Sequence, residues 1–215
     1  MISIQKVEKI ILGLILGAVP VIGSFLAGWW ISLPLVPESR IAVFALAGFL
    51  LGILVDLIFL RRWIRDAYGY KTWIWMSIYI FYSIGMFGFF MGVPVFHVLL
   101  ALPAGFFVGC KLARNYEDLH HMKKAARKAA VFTTTIMGFI CVASATFALL
   151  SPSTPSDVKG ILGLPFQVTH TMIFGIILVG GTTIMALNWW LTLRAIERTY
   201  QYYLTQDSVP GQALT

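Results

Sequence analysis

The stretch that decides the fold runs from Ile41 to Leu60 and reads IAVFALAGFLLGILVDLIFL. Its single charge is Asp56, and its length suits an α-helix that crosses about 30 Å of hydrocarbon. Comparable apolar runs occupy Ile10–Leu33, Thr72–Met91, Val93–Leu112, Ala130–Leu150 and Val168–Leu193. The sequence therefore predicts an all-α, polytopic bundle of six transmembrane helices. We expect a single domain over residues 1–205 and a flexible polar tail over residues 206–215.

The composition agrees with a membrane protein. Hydrophobic residues make up 59% of the 215 residues and charged residues 12%, whereas soluble domains carry about 25% charged residues. The net charge of +7 does not indicate nucleic acid, because the basic residues lie between apolar runs, where anionic lipid headgroups are the expected partner. Cys110 and Cys141 form no CxxC pair, so neither a disulfide framework nor a zinc ribbon is predicted.

The basic residues also orient the chain. With six spans, every lysine and arginine except Arg40 and Lys159 falls on the same side of the membrane. Basic connections stay in the cytoplasm, so the sequence predicts an inner (plasma) membrane protein with both termini cytoplasmic. Headgroup contact on that side is expected from the basic residues that flank the second and fifth spans, namely Arg61, Arg62, Arg65, Lys123, Lys124, Arg127 and Lys128.

Small residues recur at a spacing of four, which places them on one helix face and lets a neighbouring backbone approach. These stripes are Gly13 with Gly17, Gly23 with Ala27, Gly48 with Gly52, and Ala101 with Gly105 and Gly109. They predict close packing within the chain, or docking of a partner membrane subunit or a second copy. Pro20 and Pro103 fall inside spans and are expected to kink them or free a carbonyl.

Two histidines are predicted near the outer surface, His97 in the fourth span and His170 at the start of the sixth. If these spans are neighbours, the imidazoles could hold a metal, ligate a haem b or contact a quinone headgroup. The plainer interpretation is a pair of interfacial histidines bonded to backbone or water. The sequence requires no cofactor.

Two polar residues are predicted near the cytoplasmic surface. Asp56 shares a helix face with Gly48 and Gly52, and a carboxylate at membrane depth could carry protons or bind a cation. Alternatively, Asp56 pairs with Arg61 and Arg62 by snorkelling. Asn188 in the sixth span is interpreted as a hydrogen-bonding contact between helices.

One motif of metalloenzymes is present in part. Glu117 and His120 match the Glu-x-x-His spacing of di-iron bundles, but the further carboxylates of such a site are missing. The segment is interpreted instead as a solvated extension of the fourth and fifth helices. Nucleophile elbows, P-loops, HExxH and dinucleotide-binding motifs are absent from the sequence, so the chain is not expected to be an enzyme.

Three functions remain open. The first is a small-solute transporter or the substrate-binding membrane subunit of one; in size and orientation the chain resembles the substrate-capturing subunits of energy-coupling-factor transporters. The second is a membrane anchor or accessory subunit in a redox or other multi-subunit complex. The third is a non-catalytic assembly protein.

Overall fold

The computed structural model describes residues 4–90, 92–115, 118–163 and 165–207. Most of these residues are helical, and the α-helices are α1 (Ile4–Ser32), α2 (Glu38–Asp66), α3 (Thr72–Phe89), α4 (Ala101–Arg114), α5 (Leu119–Leu150), α6 (Thr154–Leu162) and α7 (His170–Asp207). Two 3-10 helices, Ala67–Gly69 and Pro94–Leu100, follow α2 and precede α4. No strand occurs in the described part of the chain.

Within the described residues, six helical segments are long and apolar enough to cross a membrane, which confirms the predicted number of spans. They are Lys6–Ser32, Glu38–Gly69, Thr72–Phe89, Pro94–Arg114, Leu119–Leu150 and His170–Thr205. The short helix α6 lies in the connection between the last two spans, where the sequence analysis predicts no helix. Its proline at the helix start and Gly163, with φ of 60° beyond its end, are usual helix boundaries.

α5 begins eleven residues before the predicted span, with Asp118 as its N-cap. Lysine and arginine are good helix formers, and this first part is amphipathic, with Met122, Ala126 and Ala130 buried. α7 likewise continues past Leu193 to Asp207. At 1.5 Å per residue, α5 is about 48 Å long and α7 about 57 Å, so both extend beyond the hydrocarbon.

The chain divides into two compact units, Met1–Ile78 and Tyr79–Thr215, and the boundary falls within α3. In the first unit α1 and α2 pack together as an antiparallel pair. An added Cβ on Gly28 would lie 2.5 Å from the Phe44 carbonyl oxygen, and one on Gly48 would lie 2.2 Å from that of Ser24. Because glycine has no side chain, the backbones of α1 and α2 come into contact at these positions.

The second unit is built on α7. α4 runs parallel to α7, where a Cβ on Gly105 or Gly109 would collide with Thr192 or Ile196 backbone oxygens at 2.9 Å. α5 runs antiparallel to α7, since Thr133 contacts Thr192 and Thr134 contacts Asn188. Close packing is thus observed for the Gly13, Gly48 and Gly105 stripes, whereas Gly23 has nothing within 4 Å of an added Cβ.

The two prolines behave differently. Pro20 lies inside α1, where it cannot donate a backbone hydrogen bond to the Leu16 carbonyl. Pro103 is the third residue of α4, so it lies in the first turn, where a missing N–H is tolerated. Within the fourth span, the structure changes from a 3-10 helix to an α-helix just before Pro103.

Candidate functional site

Asp56 lies on the face of α2 that packs against α1. Its Oδ2 is 3.2 Å from the position that a Cβ on Gly17 would occupy. Its Oδ1 is buried and has no hydrogen-bond partner among the described residues. A carboxylate oxygen in this setting has lost water without gaining a donor, which is costly unless a proton or cation compensates it.

The pairing of Asp56 with Arg61 and Arg62 is not what the structure shows. Arg62 instead lies 3.8 Å from Asp66, and Arg65 lies 3.3 Å from the same carboxylate. Asp66 is one turn from Arg62 on the exposed end of α2, so these long side chains pair there and remain in water. Asp56 therefore keeps its buried oxygen unpartnered.

His97 is buried in the 3-10 helix that precedes α4. Its Nε2 is 2.8 Å from the backbone carbonyl oxygen of Ser83 in α3. Because a carbonyl only accepts, Nε2 carries the proton and donates it, which leaves Nδ1 as an acceptor. Nδ1 is buried without a partner in the described structure, and so is the Ser83 hydroxyl. The ring also lies beside Phe87, at 6.4 Å between centroids.

His170 is exposed at the first turn of α7. The hydrogen bonds and ring contacts of His97 go to Ser83 and Phe87 in α3 and not to His170. The structure therefore does not bring the two imidazoles into contact. Within the described ranges, no group of three or more histidine, cysteine or acidic side chains is arranged to hold a metal. Glu117 of the Glu-x-x-His motif lies outside the described residues.

Asn188 is completely buried between α7 and α5. Its Nδ2 donates to the Thr134 hydroxyl at 3.5 Å, and the Thr133 and Thr192 hydroxyls, one turn away, are 3.0 Å apart. These bonds join two helices through polar groups, as the sequence interpretation of Asn188 expected. The Oδ1 of Asn188 is buried with no partner in the described chain.

The basic residues at the start of α5 form a continuous exposed face. This α5 basic face consists of His120, Lys123, Lys124, Arg127 and Lys128 and lines a groove of about 700 Å³ together with Val131. None of the four lysines and arginines forms an ion pair with a described residue. Arg62 and Arg65 of α2 differ in this respect, since both pair with Asp66.

Asp118 fixes where α5 begins. Its Oδ1 accepts hydrogen bonds from the backbone N–H of His121 at 2.7 Å and from His121 Nδ1 at 2.8 Å. These two bonds, the backbone one foremost, lower the pKa of the Asp118 carboxyl below its usual value. A carboxylate at a helix N-terminus also matches the helix dipole.

Sequence reasoning missed several polar residues that the structure buries. Ser83, Thr133 and Thr192 are each 2% exposed or less, and Glu8 in α1 is also buried. Serine and threonine interrupt apolar runs without breaking them, so hydropathy alone does not single them out. Thr192 lies one turn from Asn188 on α7, and this shared face was the available signal for Thr192.

Comparison of the chain with protein-family models, with curated protein sequences and with solved structures finds no match. The candidate site therefore rests on its own geometry.

Proposed function

We propose that this chain is a small-solute transporter, or the substrate-binding membrane subunit of one, in which Asp56 binds and releases a proton or a monovalent cation. The observation that carries the proposal is the buried, unpartnered Oδ1 of Asp56 within a span. Ionisable residues at membrane depth are rare and usually mark an ion or proton pathway.

The neighbouring backbone supports a cation-binding role. Pro20 deprives the Leu16 carbonyl of its usual helical donor, and Leu16 precedes Gly17, the residue against which Asp56 packs. Carboxylate oxygens and carbonyl oxygens that lack a helical donor are groups with which transporters bind H⁺ or Na⁺. The absent side chain at Gly17 leaves room beside the carboxylate.

The test uses the purified full chain and a hydrophobic carbodiimide, which reacts with protonated carboxyl groups that lie in apolar surroundings. We expect modification at Asp56, located by mass spectrometry, that increases as the pH falls. If the bound cation is Na⁺, then NaCl should protect Asp56 and raise Tm by mass action, relative to choline chloride at equal ionic strength. Asp56→Asn should abolish both effects.

Asp66→Asn is the matched control, because Asp66 is an aspartate on the same helix that is exposed and ion-paired. It should leave the labelling and the cation response of Asp56 unchanged. Absence of both carbodiimide labelling and a cation response at Asp56 would contradict the proposal and leave the residue a structural one.

We propose the cytoplasmic side for both termini and the inner (plasma) membrane as the location. The support is the distribution of lysine and arginine along the sequence, together with an even number of spans. Partner membrane subunits or a second copy of the chain are also proposed. The Gly23 and Ala27 stripe supports this, because an added Cβ on Gly23 has nothing within 4 Å.

The alternative function is a membrane anchor in a redox complex, and one observation favours it. His97 Nδ1 is a buried acceptor without a partner in the described structure. A visible absorption spectrum of the purified protein decides this point. A Soret band that disappears in His97→Ala or His170→Ala would support haem, and a colourless protein that binds no added haem would contradict it. Co-purifying subunits without a chromophore would instead favour an assembly protein.

A further inference from the structure

We propose that the α5 basic face is a binding site for the headgroup of an anionic phospholipid, whose acyl chain lies along the membrane part of the same helix. This site is separate from Asp56, which lies in the other compact unit. It does not depend on what the chain transports.

The first step is the charge of the α5 basic face. Four cationic side chains occupy two turns, with Lys123 and Arg127, and Lys124 and Lys128, each one turn apart. Like charges at this spacing repel each other. α5 contains no acidic residue from Leu119 to Leu150, and none of the four cations has an ion-pair partner in the described chain. The described residues therefore do not supply their counterion, and we expect it from an anionic ligand.

The second step is the position of the α5 basic face relative to the membrane. The buried side of this part of α5 packs within the second unit through Met122, Ala126 and Ala130, which leaves the basic side exposed. Side chains on a helix lean toward its N-terminus, so those of Arg127 and Lys128 lean away from the apolar part of α5. They point toward the headgroup layer, which is about 5–7 Å thick on each side of the hydrocarbon.

The third step distinguishes a lipid from a soluble anion. Toward the membrane, the exposed face continues from Lys128 through Val131 and Thr135 to Phe139. Val131 is 51% exposed and Phe139 is 68% exposed. Phe139 lies about 16 Å beyond Lys128 along the helix, which is about half of the hydrocarbon thickness. The cationic side chains are followed by an apolar surface about as long as one membrane leaflet is thick. This arrangement matches a lipid with a phosphate headgroup and an acyl chain.

The fourth step explains why α5 and not the end of α2 holds the lipid. Arg62 and Arg65 already share Asp66 as a counterion. A phosphate that bound there would compete with this carboxylate. The α5 basic face has no such competitor among the described residues.

The experiment measures lipid binding to the purified full chain by native mass spectrometry and by the shift in Tm, using phosphatidylglycerol and phosphatidylcholine with identical acyl chains. Wild-type protein is expected to retain phosphatidylglycerol preferentially and to lose it as salt is raised, because surface charges are screened. Neutralising a surface cation should weaken binding by on the order of fivefold. Lys123→Gln, Lys124→Gln, Arg127→Gln and Lys128→Gln together should therefore remove the preference.

Two controls keep the result specific. Arg61→Gln, Arg62→Gln, Arg65→Gln and Lys71→Gln together remove the same amount of charge from the end of α2 and should leave the preference intact. Lys123→Arg, Lys124→Arg and Lys128→Arg keep the charge and should also preserve it. Equal losses from the α2 and α5 variants would overturn the proposal in favour of general charge attraction.

The pair of positions nearest the membrane gives a further comparison. Arg127→Gln with Lys128→Gln should weaken binding more than Lys123→Gln with Lys124→Gln. Soluble polyglutamate is the remaining probe. If it binds wild-type protein through the α5 basic face as tightly as phosphatidylglycerol vesicles do, the occupant is an acidic protein segment and the lipid proposal is wrong.

Discussion

At the scale of single residues, the packing of α1 on α2 depends on positions that have no side chain. The Gly48 site is the tightest, because an added Cβ would lie 2.2 Å from the Ser24 carbonyl oxygen. A backbone atom cannot move aside as the end of a flexible side chain can. Asp56 belongs to the same helix face, so the spacing of these two helices also sets the room around its carboxylate.

Gly48→Ala is therefore expected to destabilise the α1–α2 pair. Overpacking costs about 1–3 kcal/mol, and the better helix propensity of alanine offsets about 1 kcal/mol of that loss. Gly13→Ala is the matched control on the same pair of helices, since the nearest atom to an added Cβ, Ile64 Cδ1, lies at an ordinary contact distance of 3.5 Å, and it should be neutral or slightly stabilising. Thermal unfolding in mild detergent measures both, and a similar loss of Tm in the two variants would contradict this account.

The candidate residues also show what sequence can predict at this scale. Asp56 and Asn188 were recognisable because charged and amide side chains are rare inside apolar runs. The bond between His97 and the Ser83 carbonyl was not recognisable, because a backbone carbonyl has no sequence signature. The pairing of Arg62 with Asp66 is local, because the two residues lie one turn apart on α2, and this spacing is visible in the sequence.

At the scale of elements, α5 is longer than its apolar run because its first turns are amphipathic. Contacts such as Thr133 with Thr192 set the antiparallel register of α5 and α7. That register places Met122 level with Tyr203, and both side chains are buried. Hydropathy predicted that the fifth span begins at Ala130, because the preceding lysines and arginines lower the average hydropathy. These lysines and arginines lie on one side of α5 only, and the opposite side of the helix is buried.

The start of α5 should depend on Asp118 and on pH. The pKa of Asp118 is lowered in the folded chain, so its carboxylate favours the capped helix at pH values above its ordinary pKa. This contribution disappears as the pH falls through the lowered pKa. Asp118→Ala should therefore speed amide hydrogen exchange over residues 119–124 near neutral pH, measured by mass spectrometry and corrected for intrinsic rates.

Asp118→Asn is the control for the cap. Asparagine keeps an oxygen that can accept from the His121 N–H, so exchange should stay close to that of the wild type but lose its dependence on acid pH. Unchanged exchange in Asp118→Ala would show that the packed face of α5, and not the cap, determines where the helix begins.

At the scale of the whole molecule, six crossings would return the C-terminus to the side of the N-terminus, which is the arrangement that we propose. The contacts within the second unit agree with an alternating path, since α4 is parallel to α7 and α5 is antiparallel to it. The α5 basic face lies at the start of α5, and the apolar remainder of α5 is the only span between it and α6. These two segments are therefore expected on opposite sides of the membrane.

Cysteine labelling in cells tests this arrangement. In a Cys110→Ala and Cys141→Ala background, Ser156→Cys on α6 should react with a membrane-impermeant thiol reagent added outside. Lys123→Cys should react only after the membrane is permeabilised, because it lies on the proposed cytoplasmic side. Labelling of Lys123→Cys in intact cells would reverse the proposed orientation, and labelling of both positions would contradict α5 as a single crossing.

The sequence by itself determined the six spans and divided their connections into basic ones and ones poor in lysine and arginine, because hydropathy and charge are local properties that add along a segment. The tertiary structure alone decided which polar atoms are buried and which have partners. It placed Asp56 against Gly17, bonded His97 to Ser83 and left the α5 basic face without a counterion among the described residues. These outcomes depend on the rotation and register of helices that are distant in sequence, and no single segment carries that information.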